Sequence, residues 1–337
     1  MIPTAPKILI VRTDSIGDVM LTLPMCGWIK QHIPNATIYF LGRTYTESIV
    51  QHCTHVDVFL NADEWLRLDD QTQIQKLSAL QCDIAIHVFP VTQWMRLTQR
   101  AKIPMRIATS HRISSWRFCT HRVAFSRRRS ALHEAQLNLK LLRPLRIPTE
   151  VELNEMPSLY GFHAGDVREE NQIIPKSPEK INICLHPFSQ GSAVEWPLAS
   201  FQDLVQLFDP IQTHFYVTGT AQDLQRYERE GGLFGDHVTC VMGTMSLSEL
   251  ISFISESDGM IAASTGPLHI AAALDVVTVG VYSSAPPIHA GRWAPLGKFA
   301  EALEDRHAPT TGSLVIPAEE VKQCWEKGYL RKKQQRN

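Results

Sequence analysis

Apolar positions in this chain come as short continuous runs, each followed by a polar turn and then a stretch of helical spacing. The first run, residues 7–13 (KILIVRT), precedes a helical pattern over 19–32. Further runs at 37–41, 56–60 and 83–89 are followed by helical segments at 45–53, 70–80 and 92–101. A run of this length, apolar on both faces, predicts a strand covered on both sides, and its alternation with helices predicts a doubly wound parallel sheet. A strand at 105–108 and a helix at 133–142 complete the first half. Between 144 and 178 the periodicity fades and Pro144, Pro148, Pro157, Pro175 and Pro178 collect, which marks a linker.

The second half repeats the pattern. Strands are predicted at 181–185, 214–217 and 238–241, with helices running from Trp196-Pro197 to Phe208, from Gln222, and over 247–255, where Leu250, Ile251 and Ile254 form the inward face. Residues 259–283 then read strand, turn, helix, strand. The run 259–263 meets Ser264-Thr265-Gly266, and Pro267 stands where a first helical turn tolerates a residue without N–H. The helix that follows is short and ends in small residues, Ala271 to Ala273, before Asp275 and the β-branched run 276–281. A terminal helix is expected at 317–329, followed by a frayed basic tail of Arg331, Lys332, Lys333 and Arg336.

The chain has 337 residues, beyond the size at which a single core stops growing, so two domains are expected. A net charge of -1 with 44% hydrophobic residues excludes a polyelectrolyte and fits a soluble globular protein. Seven dispersed cysteines without CxxC pairs point to a reducing compartment. The apolar run Ile8 to Val11 is too short for a signal-peptide core, and Pro267, Asp275 and Pro286 interrupt the longest uncharged stretches, so a cytoplasmic location is expected. Charge is uneven, however. From Arg96 to Arg129 there are ten basic residues (Arg96, Arg100, Lys102, Arg106, Arg112, Arg117, Arg122, Arg127, Arg128 and Arg129) and no acidic one.

Two kinds of turn carry candidate chemistry. The first, Asp14-Ser15-Ile16-Gly17-Asp18, has one glycine and matches neither the dinucleotide fingerprint nor the P-loop. The second kind bears hydroxyls and glycines: Ser189 to Ser192, Thr218 to Thr220, and Ser264 to Gly266. A Ser/Thr/Gly turn at a helix start offers free N–H groups to an anion, so a diphosphate held without a metal is one reading and an ordinary helix cap the other. No DxD or clustered carboxylates call for a divalent cation. In tandem doubly wound domains such turns lie at the carboxyl ends of the strands, where a crevice takes the ligand.

The segments RTDSIGDV at 12–19, HPFSQGSAVEWP at 186–197 and STGPLHIAAALD at 264–275 together resemble glycosyltransferase family 9, the family of the lipopolysaccharide core heptosyltransferases. The three follow one another in family order across nearly the whole chain. The resemblance implies an α/β GT-B architecture of two Rossmann-like doubly wound domains facing a central cleft. It places an acceptor-binding domain at 1–165, with a C-terminal helix, 317–337, packing back on it, and a nucleotide-sugar domain at 176–316. It also implies an inverting, metal-independent transfer with no cofactor beyond the nucleotide sugar, ADP-heptose being the expected donor.

Carried over residue by residue, the family's catalytic carboxylate falls on Asp18, with Asp14 as its rival. Ser189, Ser192, Thr218, Gly219, Asp223, Ser264, Thr265, Gly266 and His269 fall on the donor side, and Asp14, Gly17, Arg96 and Arg100 on the acceptor side. The basic segment is either an ordinary solvated face or, on this resemblance, an attractor of an acidic, membrane-anchored glycolipid at the cytoplasmic face of the inner membrane, in peripheral contact with it. No nucleic-acid motif accompanies the charge, and Trp94 and Trp116 within or beside it are expected in the core. Two positions depart from the heptosyltransferase pattern. Val194 stands where a Lys or Arg is usual, and Ser264 where many members carry Asp. Another nucleotide sugar, or a noncatalytic nucleotide-sugar-binding protein, therefore remains open.

Overall fold

The computed structural model describes residues 2–127, 130–165, 176–307 and 309–336, the side chain of Arg336 excepted. Arg128, Arg129 and Pro175 lie outside the described residues. The chain divides into two compact units, 1–163 and 164–337.

The first unit holds a sheet of six parallel strands: β1 (Lys7–Val11), β2 (Thr37–Gly42), β3 (Val58–Asn61), β4 (Ile84–His87), β5 (Met105–Thr109) and β6 (His121–Val123). Their order is β3-β2-β1-β4-β5-β6. The strand run KILIV is central because Ile8, Leu9, Ile10 and Val11 are all buried and need cover on both faces. The helical pattern expected over 19–32 is two helices, Ile16–Met20 and Leu23–His32, because Pro24 in the first turn of the second cannot donate to the ladder of the first. Much of the proline-rich stretch after 144 packs onto this unit: Met156, Leu159, Tyr160 and Phe162 are buried, and Phe162 bridges to Cys53.

The second unit repeats the plan with β7 (Ile181–His186), β8 (Thr213–Val217), β9 (Val238–Cys240), β10 (Gly259–Ala263), β11 (Val277–Ser283) and β12 (Ala300–Asp305), all parallel in the order β12-β11-β10-β7-β8-β9. The expected strand-turn-helix-strand of 259–283 is present, its helix spanning Gly266–Ala273.

Three features differ from expectation. Strands β6 and β12 were not legible: each lies at a sheet edge and carries polar residues, His121 and Arg122 in one, Glu301 and Glu304 in the other. The basic tail is not frayed, since the terminal helix runs Ala318–Arg336 and Arg331 reaches Glu301 at 3.2 Å and the Lys298 carbonyl at 3.1 Å. Trp116 is 63% exposed, not in the core, whereas Trp94 is buried.

The terminal helix lies against β11, β12 and the helix Leu198–Gln206. Its Trp325 is buried, stacks on Tyr329 at 4.9 Å and meets the edge of Phe208 at 5.7 Å. The first residue of β10 is glycine because a Cβ there would run into the Trp325 indole. Trp325→Ala should therefore cost the second unit about 3–5 kcal/mol, as cavity-forming loss of a buried aromatic does. Urea denaturation followed by circular dichroism measures this. A cost below about 1 kcal/mol would mean that the helix is held by its other contacts.

Candidate active site

In each sheet the strand order reverses at one point, between β1 and β4 in the first unit and between β7 and β10 in the second. Loops at the carboxyl ends of such strand pairs are where open α/β sheets take ligands. The loop after β1 carries Asp14, Gly17 and Asp18, and the loops after β7 and β10 carry Ser189 to Ser192 and Ser264 to Gly266.

In the first unit these residues surround one cation. Arg12, directly after β1, is 2% exposed and ion-paired to three carboxylates: to Asp14 at 2.6 Å, to Asp18 in a closer contact, and to Glu134 at 3.7 Å. Glu134 is itself buried and pairs also with Arg127. Burial by itself would lower the proton affinity of Arg12, but Asp18, Asp14 and Glu134 outweigh it and raise it, so the guanidinium stays charged. Asp18 is the third residue of the helix Ile16–Met20. Ser15 caps that helix and donates its hydroxyl to the second oxygen of Asp18 at 2.6 Å. The carboxylate thus sits at a helix N-terminus, with its orientation fixed by two partners.

The supports run deeper. Thr22 donates to the Asp18 carbonyl at 2.8 Å. Asn138 donates to the Leu21 carbonyl at 2.9 Å and accepts from both terminal nitrogens of Arg127 at 3.0 and 3.1 Å. Arg127 also donates to the Val88 carbonyl after β4. Tyr45 donates its hydroxyl to the Asp14 carbonyl at 2.6 Å. Gly17 lies between Ile16 and Asp18 on the same helix. Asp14, Gly17 and Asp18 are thereby brought together, but Arg96 and Arg100 are not part of this group; both face Asp70, at 3.7 and 2.7 Å.

In the second unit the turn after β10 runs straight into the helix Gly266–Ala273. Thr265 is its N-cap, yet makes no side-chain cap bond, and its hydroxyl oxygen is buried without a hydrogen-bond partner. Pro267 has no N–H, and His269 is buried within the first turn. Ser264 reaches the Tyr282 hydroxyl. A buried hydroxyl thus lies beside the free N–H groups of an eight-residue helix, an arrangement of donors that suits an anion.

The other hydroxyls of the second unit serve the protein. Ser189 donates to Ala193 and to Glu195, both at 3.0 Å, and Ser192 donates to the Ser189 carbonyl at 2.8 Å. Thr218 donates to the Leu185 carbonyl at 3.1 Å and lies 2.9 Å from His186, whose pKa burial lowers to about 4. Asp223 closes a capping box with Thr220, accepting from its backbone N–H and its hydroxyl at 2.8 Å. Gly219 is pressed against Asp223 and Met242, with either only 3.1 Å from where a Cβ would stand. Gln190, Gly191, Glu195, Asp223, Arg226 and Arg229 help line a polar cavity of about 630 Å³. Among the described residues no group of His, Cys, Asp or Glu is placed to hold a metal ion.

A family model described as glycosyltransferase family 9 (heptosyltransferase) matches residues 72–316. The chain belongs to glycosyltransferase family 9. A Haemophilus influenzae protein named provisionally as a glycosyltransferase is 26% identical over 298 residues, covering 86% of each chain. Among solved structures, a family 9 glycosyl transferase from Veillonella parvula superposes with a TM-score of 0.76 at 17% identity, covering 97% of both chains. The Escherichia coli heptosyltransferase WaaC, solved with ADP, gives 0.72 at 17% identity over 96% of this chain and 99% of its own. The two-unit doubly wound α/β fold is therefore the GT-B fold of this family. The family match includes the turn at 264–266 and begins beyond Asp18.

Several members of the site went unrecognised in the sequence. Arg12 lies inside RTDSIGDV, but nothing in that motif says that it is buried. Glu134 and Asn138 come from a helix more than a hundred residues away. Glu195, next to Trp196, organises the turn at 189–192 by accepting from the Ser189 N–H at 2.7 Å and from Arg226 at 2.7 Å. A glutamate before a Trp-Pro pair carries no signal of that task.

Burial pushes the Asp14 carboxyl up to about 6; Arg12 opposes this and the Asp18 charge adds to it. An unfolded aspartate loses its proton near pH 4, about two units lower, so between those values the native state holds more protons and stability falls as pH rises. Asp14→Asn removes that loss. Its melting temperature relative to the parent should therefore climb between about pH 4 and pH 6 and level off above. A difference that stays constant across this window would show that Arg12 fully compensates the carboxylate.

Proposed function

We propose that the protein is an inverting, metal-independent glycosyltransferase that moves a sugar, heptose from ADP-heptose first among the candidates, onto a lipopolysaccharide core or related cell-envelope glycolipid. The observation that carries this is the buried, unpartnered Thr265 hydroxyl at the free start of the helix Gly266–Ala273. Together with the N–H groups of Gly266 and Leu268 it offers hydrogen bonds to a diphosphate, and these strengthen as the leaving group gains charge. Asp18 accepts the proton of the acceptor hydroxyl, whose oxygen forms the new bond to the anomeric carbon. The bond from that carbon to the donor phosphate oxygen breaks on the opposite face, and the nucleoside diphosphate leaves. Arg12 and Ser15 hold the carboxylate in place for this step.

ADP as the nucleotide is supported by the bound ADP of WaaC and by a further structure of that protein with ADP-2-deoxy-2-fluoro heptose. Among the described residues no helix is long and apolar enough to cross a membrane. A peripheral enzyme at the cytoplasmic face of the inner membrane fits such an acceptor. A different nucleotide sugar is the second candidate, favoured by one observation: Val194 packs against the core of the second unit, so that position offers the donor no charge.

Two measurements decide. Asp18→Asn should keep its fold and its donor affinity while transfer falls by about 100-fold or more, the usual scale for loss of a general base; full activity would remove Asp18 from the role. In a thermal-shift series with ADP, UDP, GDP, CDP and dTDP, the preferred nucleotide stabilises by about 2.7 kcal/mol at ~100 times its dissociation constant. Selective stabilisation by ADP supports heptose transfer, and selective stabilisation by UDP or GDP sinks it. Binding of any of these without turnover over a broad acceptor panel would make the protein a noncatalytic binder.

A further inference from the structure

We propose that a surface formed by Phe89, Arg112, Ile113, Trp116, Arg117 and Arg122 seats the first unit on an anionic lipid bilayer. Ile113 is 89% exposed and Trp116 63% exposed, three residues apart on the helix Ile113–Phe118 and therefore on one face of it. Phe89, 37% exposed, joins them through Arg112, whose guanidinium lies 5.0 Å over its ring. On the other side Arg122 lies 4.5 Å over the Trp116 ring. The patch is thus continuous, with apolar side chains interleaved by cations. Single exposed apolar residues are ordinary, but an apolar cluster with a basic surround marks an interaction surface.

The cations of this patch differ from the rest of the basic segment. Arg96 and Arg100 are paired with Asp70, Arg127 with Glu134, and Arg106 donates to the Phe118 and Ile103 carbonyls. Arg112, Arg117 and Arg122 have no carboxylate within ion-pair distance among the described residues; Arg122 donates one N–H to the Cys119 carbonyl at 3.1 Å, and the net charge of all three is available to an outside anion. The Trp116 indole N–H donates to the Ser110 carbonyl at 2.9 Å, which fixes the ring and leaves its hydrocarbon edge to be covered from outside. An Ile at the tip, a tethered Trp and unpaired Arg form the composition of an interfacial anchor, in which apolar chains enter the headgroup boundary and guanidinium groups meet lipid phosphates. RNA fits less well, because Arg122 already occupies a face of the indole and Ile113 has no base to stack on.

Phe89 follows β4, and Arg112 and Ile113 follow β5, so both lie beyond the carboxyl ends of their strands. All six strands are parallel, so this is the end of the sheet that carries Asp14 and Asp18. A bilayer held there brings headgroups to the edge at which a lipid-anchored hydroxyl would have to reach Asp18. The inference deepens the reading of a glycolipid acceptor, but lipid binding is measured without any transfer.

The test is co-sedimentation of the full chain with vesicles of phosphatidylcholine, with and without phosphatidylglycerol. The parent should bind the anionic vesicles, less so at high salt, and bind phosphatidylcholine alone weakly. Ile113→Ser with Trp116→Ser, and separately Arg112→Gln with Arg117→Gln and Arg122→Gln, should each lower partitioning by about tenfold or more while leaving the melting temperature unchanged, since these side chains are exposed. No binding by the parent, equal binding to both vesicle types, unchanged binding in both variants, or preferential capture of single-stranded RNA would each overturn the proposal. Vesicle binding with these dependences in a protein that transfers no sugar would retain the surface and remove the transferase.

Discussion

A guanidinium with almost no access to water must be neutralised from within, and in the first unit that requirement organises everything around Arg12. Three carboxylates gather on it from two distant parts of the chain, and a second arginine, Arg127, balances the surplus. Buried ion clusters seldom stabilise a fold more than apolar residues of the same volume would. What such a cluster provides here is position. Asp18 is held by ion pair, hydroxyl and helix start at once, while Asp14, on the same cation, is the carboxylate whose proton affinity is raised.

The second unit solves a complementary problem with less charge. Its hydroxyl-rich turns are mostly self-satisfied: Ser189, Ser192, Thr218 and Asp223 spend their hydrogen bonds on shaping loops. Among the described residues of this unit, Thr265 alone keeps a buried side-chain hydroxyl without a partner, and it sits where the strand order reverses. One unit therefore holds a carboxylate in a fixed orientation, and the other presents hydrogen-bond donors at a helix start.

The alternation of strands and helices was legible because each core strand is a short, unbroken apolar run, as KILIV is. What escaped were the edges. Strands β6 and β12 are short and polar, and the terminal helix reads as a tail beyond Tyr329 because its partners, Glu301 and the Lys298 carbonyl, are distant in sequence. For the site, local motifs pointed to Asp18 and the turn at 264–266, and both follow the carboxyl ends of strands beside a reversal of strand order. Local spacing could not reveal that Glu134 and Asn138 close over Arg12, nor that Asp70 takes up Arg96 and Arg100. The basic segment looked uniform in sequence, and tertiary contacts sort it into structural, paired and available cations.

Strand β10 joins two features that look unrelated. At its head it presents Thr265; at its foot Gly259 leaves room for the Trp325 ring of the terminal helix. Six residue steps separate them, at most about 20 Å. The strand is thus braced from behind by the helix Ala318–Arg336, and the turn that follows the strand has its full support only once that helix has docked. A chain cut short before Trp325 would carry every residue of the turn and still lack the ring that backs its strand.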